Sequence, residues 1–271
     1  MIMLRQKRLS MKVKEKAKVL EQKKIAQDIY DMTLAVSFAK DCVPGQFVSV
    51  MTDDKSRLLP RPISICGITD ETIRLVYRVV GSGTTDFSKL QPGDEVTVLG
   101  PLGNGFPLDV CEGKKVLLVG GGIGIPPMLC SGRALLEGDR VKPKSVTYVV
   151  GYRTDDKYLY EDLCSSSKVV VSTDDGSFGT HGTVIDAIKE AGLEADVIFT
   201  CGPKPMFKAL VSYAEEKNID LYLSMEERMA CGIGACLGCV CQSKEIDGHS
   251  HVHNKRVCKD GPVFKSTEVV L

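Results

Sequence analysis

The residues best suited to chemistry lie near the C-terminus. Cys231, Cys236, Cys239 and, after a longer gap, Cys258 stand in MACGIGACLGCVC and VCKDGPVF. Four residues separate the first two, two separate the next pair, and eighteen precede the last. This is the C-x4-C-x2-C…C spacing that holds a plant-type [2Fe–2S] cluster. Gly232, Gly234 and Gly238 permit the positive φ angles and close backbone approach needed to wrap a small inorganic core. Amides freed from secondary structure can then donate to its sulfurs. Structural zinc is the competing use of four thiolates, although zinc ribbons pair two C-x2-C knuckles and here a triplet meets one distant partner. Cys241 is read as a bystander and Cys258 as the fourth ligand. His249, His251 and His253 alternate in a polar insert and read as a solvated loop.

Upstream, Arg61-Pro62-Ile63-Ser64 opens a strand-like run. A guanidinium there can bind a pyrophosphate oxygen pair bidentately, and Ser64 adds a hydroxyl able to bond a flavin ring or phosphate. An edge-strand Arg-Pro with a solvated side chain is the plain alternative. Tyr77-Arg78 and then Gly81-Ser82-Gly83-Thr84 follow, the latter a glycine lead-in to a short helix suited to an anion. Two phosphate-suited elements in one β region point to a nucleotide cofactor, with Tyr77 also readable as a packed aromatic. Gly120-Gly121-Gly122-Ile123-Gly124-Ile125-Pro126-Pro127 makes a strand-to-helix turn of the dinucleotide type. Ile125 stands where a strict G-x-G-x-x-G has its last glycine. Cys201-Gly202-Pro203 ends another strand and flanks the same place, because ligands sit at the carboxyl ends of parallel strands. Asp174-Asp175-Gly176 reads as a solvated turn rather than a ribose ligand, and His181 supports no catalytic role. No hydrolytic constellation is visible, so no catalytic residue is assigned.

The elements that must position these groups fall into two patterns. From about Val13 to Leu99, FVSVM, RPISICGI, TIRLVYRVV and EVTVLG follow two polar-alternating runs, with PG, TDE and QPGD turns between them. This predicts a small antiparallel barrel, with TTDFSKL a short helix capped by Thr84 or Thr85. From Lys115, KVLLVG, SVTYVVGY, KVVVSTDD and DVIFTCG are compact β-branched runs alternating with helical segments, as in a doubly wound parallel sheet. A last strand, IDLYLSME, leads into the cysteines. No segment after them reads as a cap on the fold, so the lobe is expected to bury itself against a partner.

Composition narrows the function classes. With 35 basic and 35 acidic side chains, there is no electrostatic reason to expect nucleic acid or an anionic membrane surface. No apolar run is long enough to span a membrane. MIMLRQKRLS is basic without a following apolar region, hence no secretory signal, and Met11 is a candidate natural start. Of eleven cysteines, six are scattered singly and five cluster, which favours metal ligation in a reducing cytoplasm over disulfides.

In order, RPIS, YRVVGSGT, GPLGNGF, GGGIGIPP, CGP and MEERMACGIGAC with VCKDGPVF resemble the electron-transfer subunits of type B dihydroorotate dehydrogenases, iron–sulfur flavoproteins of the ferredoxin-reductase-like kind. The resemblance covers nearly the whole chain and departs from it at the basic N-terminus and the histidine insert. It implies an antiparallel FAD-binding β-barrel over 11–108, a doubly wound NAD-binding α/β domain over 109–222 and a small [2Fe–2S] lobe over 223–271. It places FAD contacts on Arg61, Pro62, Ile63, Ser64, Val76, Tyr77, Arg78, Gly83 and Thr84. The dinucleotide is expected at Gly121, Gly122, Gly124, Cys201, Gly202 and Pro203, and the cluster on Cys231, Cys236, Cys239 and Cys258. The implied partner is an FMN-containing dihydroorotate dehydrogenase catalytic subunit in a two-plus-two heterotetramer. Electrons would pass from dihydroorotate oxidation through [2Fe–2S] and FAD to NAD+, in de novo pyrimidine biosynthesis. The redox logic agrees: nicotinamide takes a hydride, a cluster passes single electrons, and a flavin does both, so it stands between them. The chain shows no dihydroorotate site and is not expected to oxidise it alone. The competing readings are a ferredoxin:NADP+-type reductase subunit and a non-enzymatic redox sensor or zinc-stabilised adaptor.

Overall fold

The structure, a computed structural model, describes residues 11–54, 56–246 and 251–271; the stretch 1–10 and His249 lie outside the described residues. In β1 (Val13–Ala26) Ala17 and Val19 are buried and Lys14, Lys16 and Lys18 are exposed, the alternation of a strand with one face on a core. It is followed by β2 (Ile29–Ala35), β3 (Phe47–Met51), β4 (Arg61–Ile68), β5 (Thr72–Arg78), the short helix α1 (Ser82–Phe87) and β6 (Glu95–Leu102). The N-terminal half of β1 pairs with β6 and its C-terminal half with β2, Lys18 partnering both Glu95 and Ala35. This sharing closes the antiparallel barrel in the order β1-β2-β5-β4-β3-β6. The expected hydroxyl cap of α1 is not found: the helix starts from Gly81. Thr84 sits inside its first turn, accepting from the amides of Val80 at 3.0 Å and Gly81 at 3.3 Å.

The second half contains β7 (Lys115–Gly121), α2 (Ile125–Glu137), β8 (Ser145–Tyr152), α3 (Tyr160–Ser166), β9 (Lys168–Thr173), β10 (Thr180–His181), α4 (Val184–Glu190), β11 (Val197–Cys201), α5 (Lys204–Lys217) and β12 (Asp220–Ser224). These strands are parallel in the order β10-β9-β8-β7-β11-β12. Every residue of β11 is buried, as expected for strands covered by helices on both faces. Each fully buried Val, Leu or Ile contributes about 1.5–3 kcal/mol relative to leaving it exposed. The chain order reverses between β7 and β11, the place where such sheets open a ligand crevice.

The C-terminal lobe has the hairpin β13 (Val240–Gln242) and β14 (Asn254–Arg256), then β15 (Val263–Lys265). β15 pairs antiparallel with β12, Ser224 opposite Val263. The segment after the cysteines therefore does cap the fold. Its three-residue length gives no periodicity from which to read it. Barrel and sheet are fastened by charge. Arg74 of β5 donates to both carboxylate oxygens of Asp31 and, at 2.9 Å, to Asp162 of α3, which also takes Arg133 of α2 at 3.1 Å.

Candidate functional site

β3 divides its side chains between two environments. Val48 and Val50 fill the barrel core, while Phe47 packs outward with Leu102, Cys239 and Cys258. Its partners on β4 are Ser64 opposite Phe47 and Pro62 opposite Ser49, and antiparallel partners share a face. Pro62 and Ser64 of the RPIS motif thus lie on the outer barrel wall beside the cysteine lobe, while Ile63, opposite Val48, packs against the barrel core. The Arg61 guanidinium donates to the Leu59 carbonyl and lies against Gly83, where any Cβ would collide with it. The two elements suited to phosphate are one place. Tyr77 differs from its neighbours. Its ring is buried in the barrel core, stacked on Tyr30 at 5.9 Å, and its hydroxyl accepts from Gln22 at 2.8 Å. Only its backbone is left for a cofactor. Val76 is buried on the side facing the sheet, and Arg78 reaches the crevice.

That crevice is an open cleft of about 860 Å³ at the carboxyl ends of β7, β8, β9 and β11, walled on the barrel side by Asp28 and Arg78. Gly121, Gly122, Gly202 and Pro203 line it, and so does Asp174. Gly124 and Cys201 lie beneath: a Cβ on Gly124 would strike the Cys201 carbonyl, so this glycine serves strand–turn packing. Two lining residues carried no motif. Tyr158 keeps a buried hydroxyl without a hydrogen-bond partner among the described residues. Glu226, at the mouth, has its carboxyl pKa raised by the protein around it.

From Met225 to Cys239 the chain has no helix or strand. Gly232, with φ +69°, and Gly234 adopt the left-handed conformation the wrap requires; Gly238 does not, because Leu237 takes the left-handed position one residue earlier. The loop instead turns its amides on its thiols. Cys231 Sγ accepts from Ile233 at 3.5 Å, Ala235 at 3.3 Å and Cys236 at 3.4 Å. Gly238 donates to Cys236 Sγ, and the Cys258 amide to Cys239 Sγ, both at 3.4 Å. Burial pushes the Cys231 thiol up, but the donations from Ile233, Cys236 and Ala235 outweigh it and hold the pKa at about 6. Main-chain amides thus link the cysteines two by two, Cys236 donating to Cys231 Sγ and Cys258 to Cys239 Sγ. Among the described residues no three His, Cys, Asp or Glu converge on one metal-ion position. Two pairs suit a dinuclear core with two thiolates per iron, whereas a tetrahedral zinc site gathers four about one point. Cys241 lies in β13, buried in an apolar cluster and outside both pairs; burial raises its thiol to about 11. His251 and His253 are exposed.

Side chains distant in sequence pin the loop. Arg256 donates to Asp260 at 3.0 Å and reaches the Gly234 carbonyl at 3.5 Å. Asn104, from the turn after β6, donates its side-chain amide to the carbonyls of Lys259 and Asp260 at 3.0 and 2.9 Å, and its backbone N–H to Gly261 at 2.6 Å. Cys236 is exposed, flanked by the exposed apolar side chains of Ile233 and Leu237, whereas Cys239 and Cys258 are buried.

Residues 226–270 match the family described as the iron-sulfur cluster binding domain of dihydroorotate dehydrogenase B. Over 264 residues the chain is 45% identical to the dihydroorotate dehydrogenase B (NAD(+)) electron transfer subunit of Geobacillus sp. (strain WCH70), covering 95% of this chain and 98% of that one. The same subunit of Caldanaerobacter subterraneus subsp. tengcongensis is 40% identical, covering 96% and 100%. Among solved structures, an NADH-dependent reduced ferredoxin-NADP oxidoreductase superposes with TM-score 0.81 at 30% identity, covering 94% of this chain and 89% of the other. A ferredoxin NADP+ reductase from Neisseria gonorrhoeae, at TM-score 0.64 and 18% identity over 75% and 91% of the two chains, shares the fold. Barrel, doubly wound sheet and cysteine lobe are those of a ferredoxin-reductase-like protein, and the chain belongs to the family of dihydroorotate dehydrogenase B (NAD(+)) electron transfer subunits.

Proposed function

We propose that this subunit passes electrons, released by dihydroorotate oxidation at the FMN of a catalytic partner, through a [2Fe–2S] cluster and FAD to NAD+. The observation that carries the reading is the linkage of Cys231 with Cys236 and of Cys239 with Cys258 by amide–sulfur hydrogen bonds, in a loop packed on the same outer barrel wall as Ser64. Those four thiolates hold the cluster. Arg61, Gly83 and Thr84 hold the FAD pyrophosphate; Pro62 to Ser64, Val76 to Arg78 and the Tyr77 backbone seat the rest of the flavin nucleotide. Gly121, Gly122, Gly202 and Pro203 seat NAD+ in the cleft, with Gly124 and Cys201 shaping its floor. When bound, the cluster handles single electrons, NAD+ a pair, and FAD both. The chain's own contribution is to fix these groups close together and to keep water out of their junction, which Phe47 and Leu102 line with apolar surface.

The partner side of the reading is supported by Cys236, Ile233 and Leu237, which together present the loop's outer edge to solvent. A partner covers this edge, in a two-plus-two assembly in the cytoplasm. Five of the eleven cysteines cluster near the C-terminus, which suits metal ligation in a reducing compartment. The isolated chain does not oxidise dihydroorotate. The test is reconstitution with the FMN-bearing partner, purified without air. Dihydroorotate-dependent NAD+ reduction by the complex, and none by this chain alone, is the expected result; a complex without that activity would sink the proposal. The likeness to the ferredoxin-NADP oxidoreductase favours a second reading, a subunit of a ferredoxin:NADP+ reductase. NADP+ reduction driven by reduced ferredoxin, with no dihydroorotate activity, would select it.

A further inference from the structure

Ser49 is the polar exception on the outer face of β3. It is 1% exposed, and its hydroxyl has no hydrogen-bond partner among the described residues. Leaving a buried hydroxyl unpaired is costly, so a serine here calls for a partner. Its strand partners offer none: Pro62 has no N–H, and on the other side stands Leu99. The hydroxyl is aimed at the cysteine loop. A Cβ built on Gly232 would lie 2.8 Å from Ser49 Oγ and 3.3 Å from the Leu102 side chain, so the glycine leaves a narrow gap between the Cys231–Gly232 turn and the barrel wall. Gly232, at φ +69°, is needed there twice, for its backbone conformation and for that gap.

We infer that the Ser49 hydroxyl donates a hydrogen bond to a sulfur of the iron–sulfur cluster held at Cys231, and thereby favours its reduced form. This rests on the assignment of Cys231 as a cluster ligand. The loop amides already show the local pattern of N–H groups turned on sulfur; Ser49 adds a donor from outside the loop, on the barrel strand next to the RPIS motif. One-electron reduction adds negative charge to the cluster, and charge on its sulfurs strengthens any hydrogen bond they accept. Donors to sulfur are therefore a lever on potential. No proton changes hands.

The test is a redox titration of the intact complex, following the cluster by electron paramagnetic resonance. Ser49→Ala is expected to keep its iron and sulfide but to shift the oxidised-to-reduced ratio at a given potential up to about tenfold toward oxidised, a midpoint lower by up to about 59 mV for one electron. Ser49→Thr, which keeps the hydroxyl, is expected to titrate near wild type. A Ser49→Ala cluster at the wild-type potential overturns the inference, and so does a variant in which only the FAD couple moves. If Ser49→Ala fails to retain the cluster, Ser49→Cys decides, being nearly isosteric and a weaker donor: a lowered cluster potential supports the inference and an unchanged one overturns it. Failure of the underlying assignment looks different, as a wild-type complex without a [2Fe–2S] signal or a Cys231→Ser variant that retains it.

Discussion

The turn after β7 and the loop after β12 are both rich in glycine, and each shapes a place for a cofactor, yet they hold their shapes by different means. The first is clamped by regular structure. β7 is buried along nearly its whole length, Pro126 and Pro127 start α2, and Gly124 sits directly on the Cys201 carbonyl. The second has no helix or strand and is shaped by amide–sulfur contacts and by pins from Asn104 and Arg256. A turn specified by sheet and helix exists whether or not a ligand is bound. A loop shaped around sulfurs and a few polar pins draws much of its order from what the sulfurs hold, because metal-binding free energy is folding free energy where the site is not otherwise preformed.

The difference can be broken most severely at the thiols. Cys258→Ser is expected to abolish the cluster while Cys241→Ser retains it, read by iron and sulfide analysis and visible absorption; the opposite result would refute the ligand set. Next in size is a change on the clamped side. Gly124→Ala drives a Cβ into a main-chain carbonyl and should lower stability by about 3 kcal/mol, the upper range for overpacking, seen as a lower denaturant midpoint. Asn104→Ala acts on the other side. It removes the side-chain hydrogen bonds to the exposed Lys259 and half-buried Asp260 carbonyls, at about 0.5–1.5 kcal/mol each, and hydrogen exchange should quicken across 225–240 and 256–262 while the amides of β7 and β11 stay protected. Equal quickening in both regions would mean that the loop and the sheet are one cooperative unit. The smallest effect concerns the joint between barrel and sheet. Burial raises the Asp162 carboxyl, but Arg74 and Arg133 outweigh it and hold it below the ordinary carboxylate value of 3.8. A group depressed in the folded state contributes stability above its unfolded pKa and loses it as pH falls through the folded one. Asp162→Asn should therefore flatten the loss of stability below about pH 4 and leave the neutral range without pH dependence.

Much of this was legible in sequence, for identifiable reasons. Buried parallel strands are apolar without alternation, so β7 and β11 stand out, and the spacing of Cys231, Cys236 and Cys239 is itself a local geometry. What escaped depended on contacts between distant residues. Asn104 reaches carbonyls 155 and 156 positions away, and nothing local marks an asparagine for that. Gly124 resembles a phosphate-cradling glycine by position, but its neighbour is the end of β11. Tyr77 could have been placed by strand parity: Val76 faces the sheet, so the next side chain enters the barrel. Parity could not separate Cys239 from Cys241, which are two apart and would share a face in one strand; what separates them is that β13 begins only at Val240.

The register Ser224 opposite Val263 bears on how such a lobe can be gained or lost. β12 and β15 are a hairpin in which residues 225–262 stand where a tight turn would be. Both ends of the insertion leave the sheet side by side, so the edge strand does not depend on what lies between them. Trimming that excursion to a two-residue turn would leave a sheet with the same strands and the same edge, without its iron-binding appendage. The cluster lobe is thus a detachable module as far as the sheet is concerned, and ancestry could add or remove it without redesigning the sheet, provided the barrel-wall residues Phe47 and Leu102 that it covers find another cover.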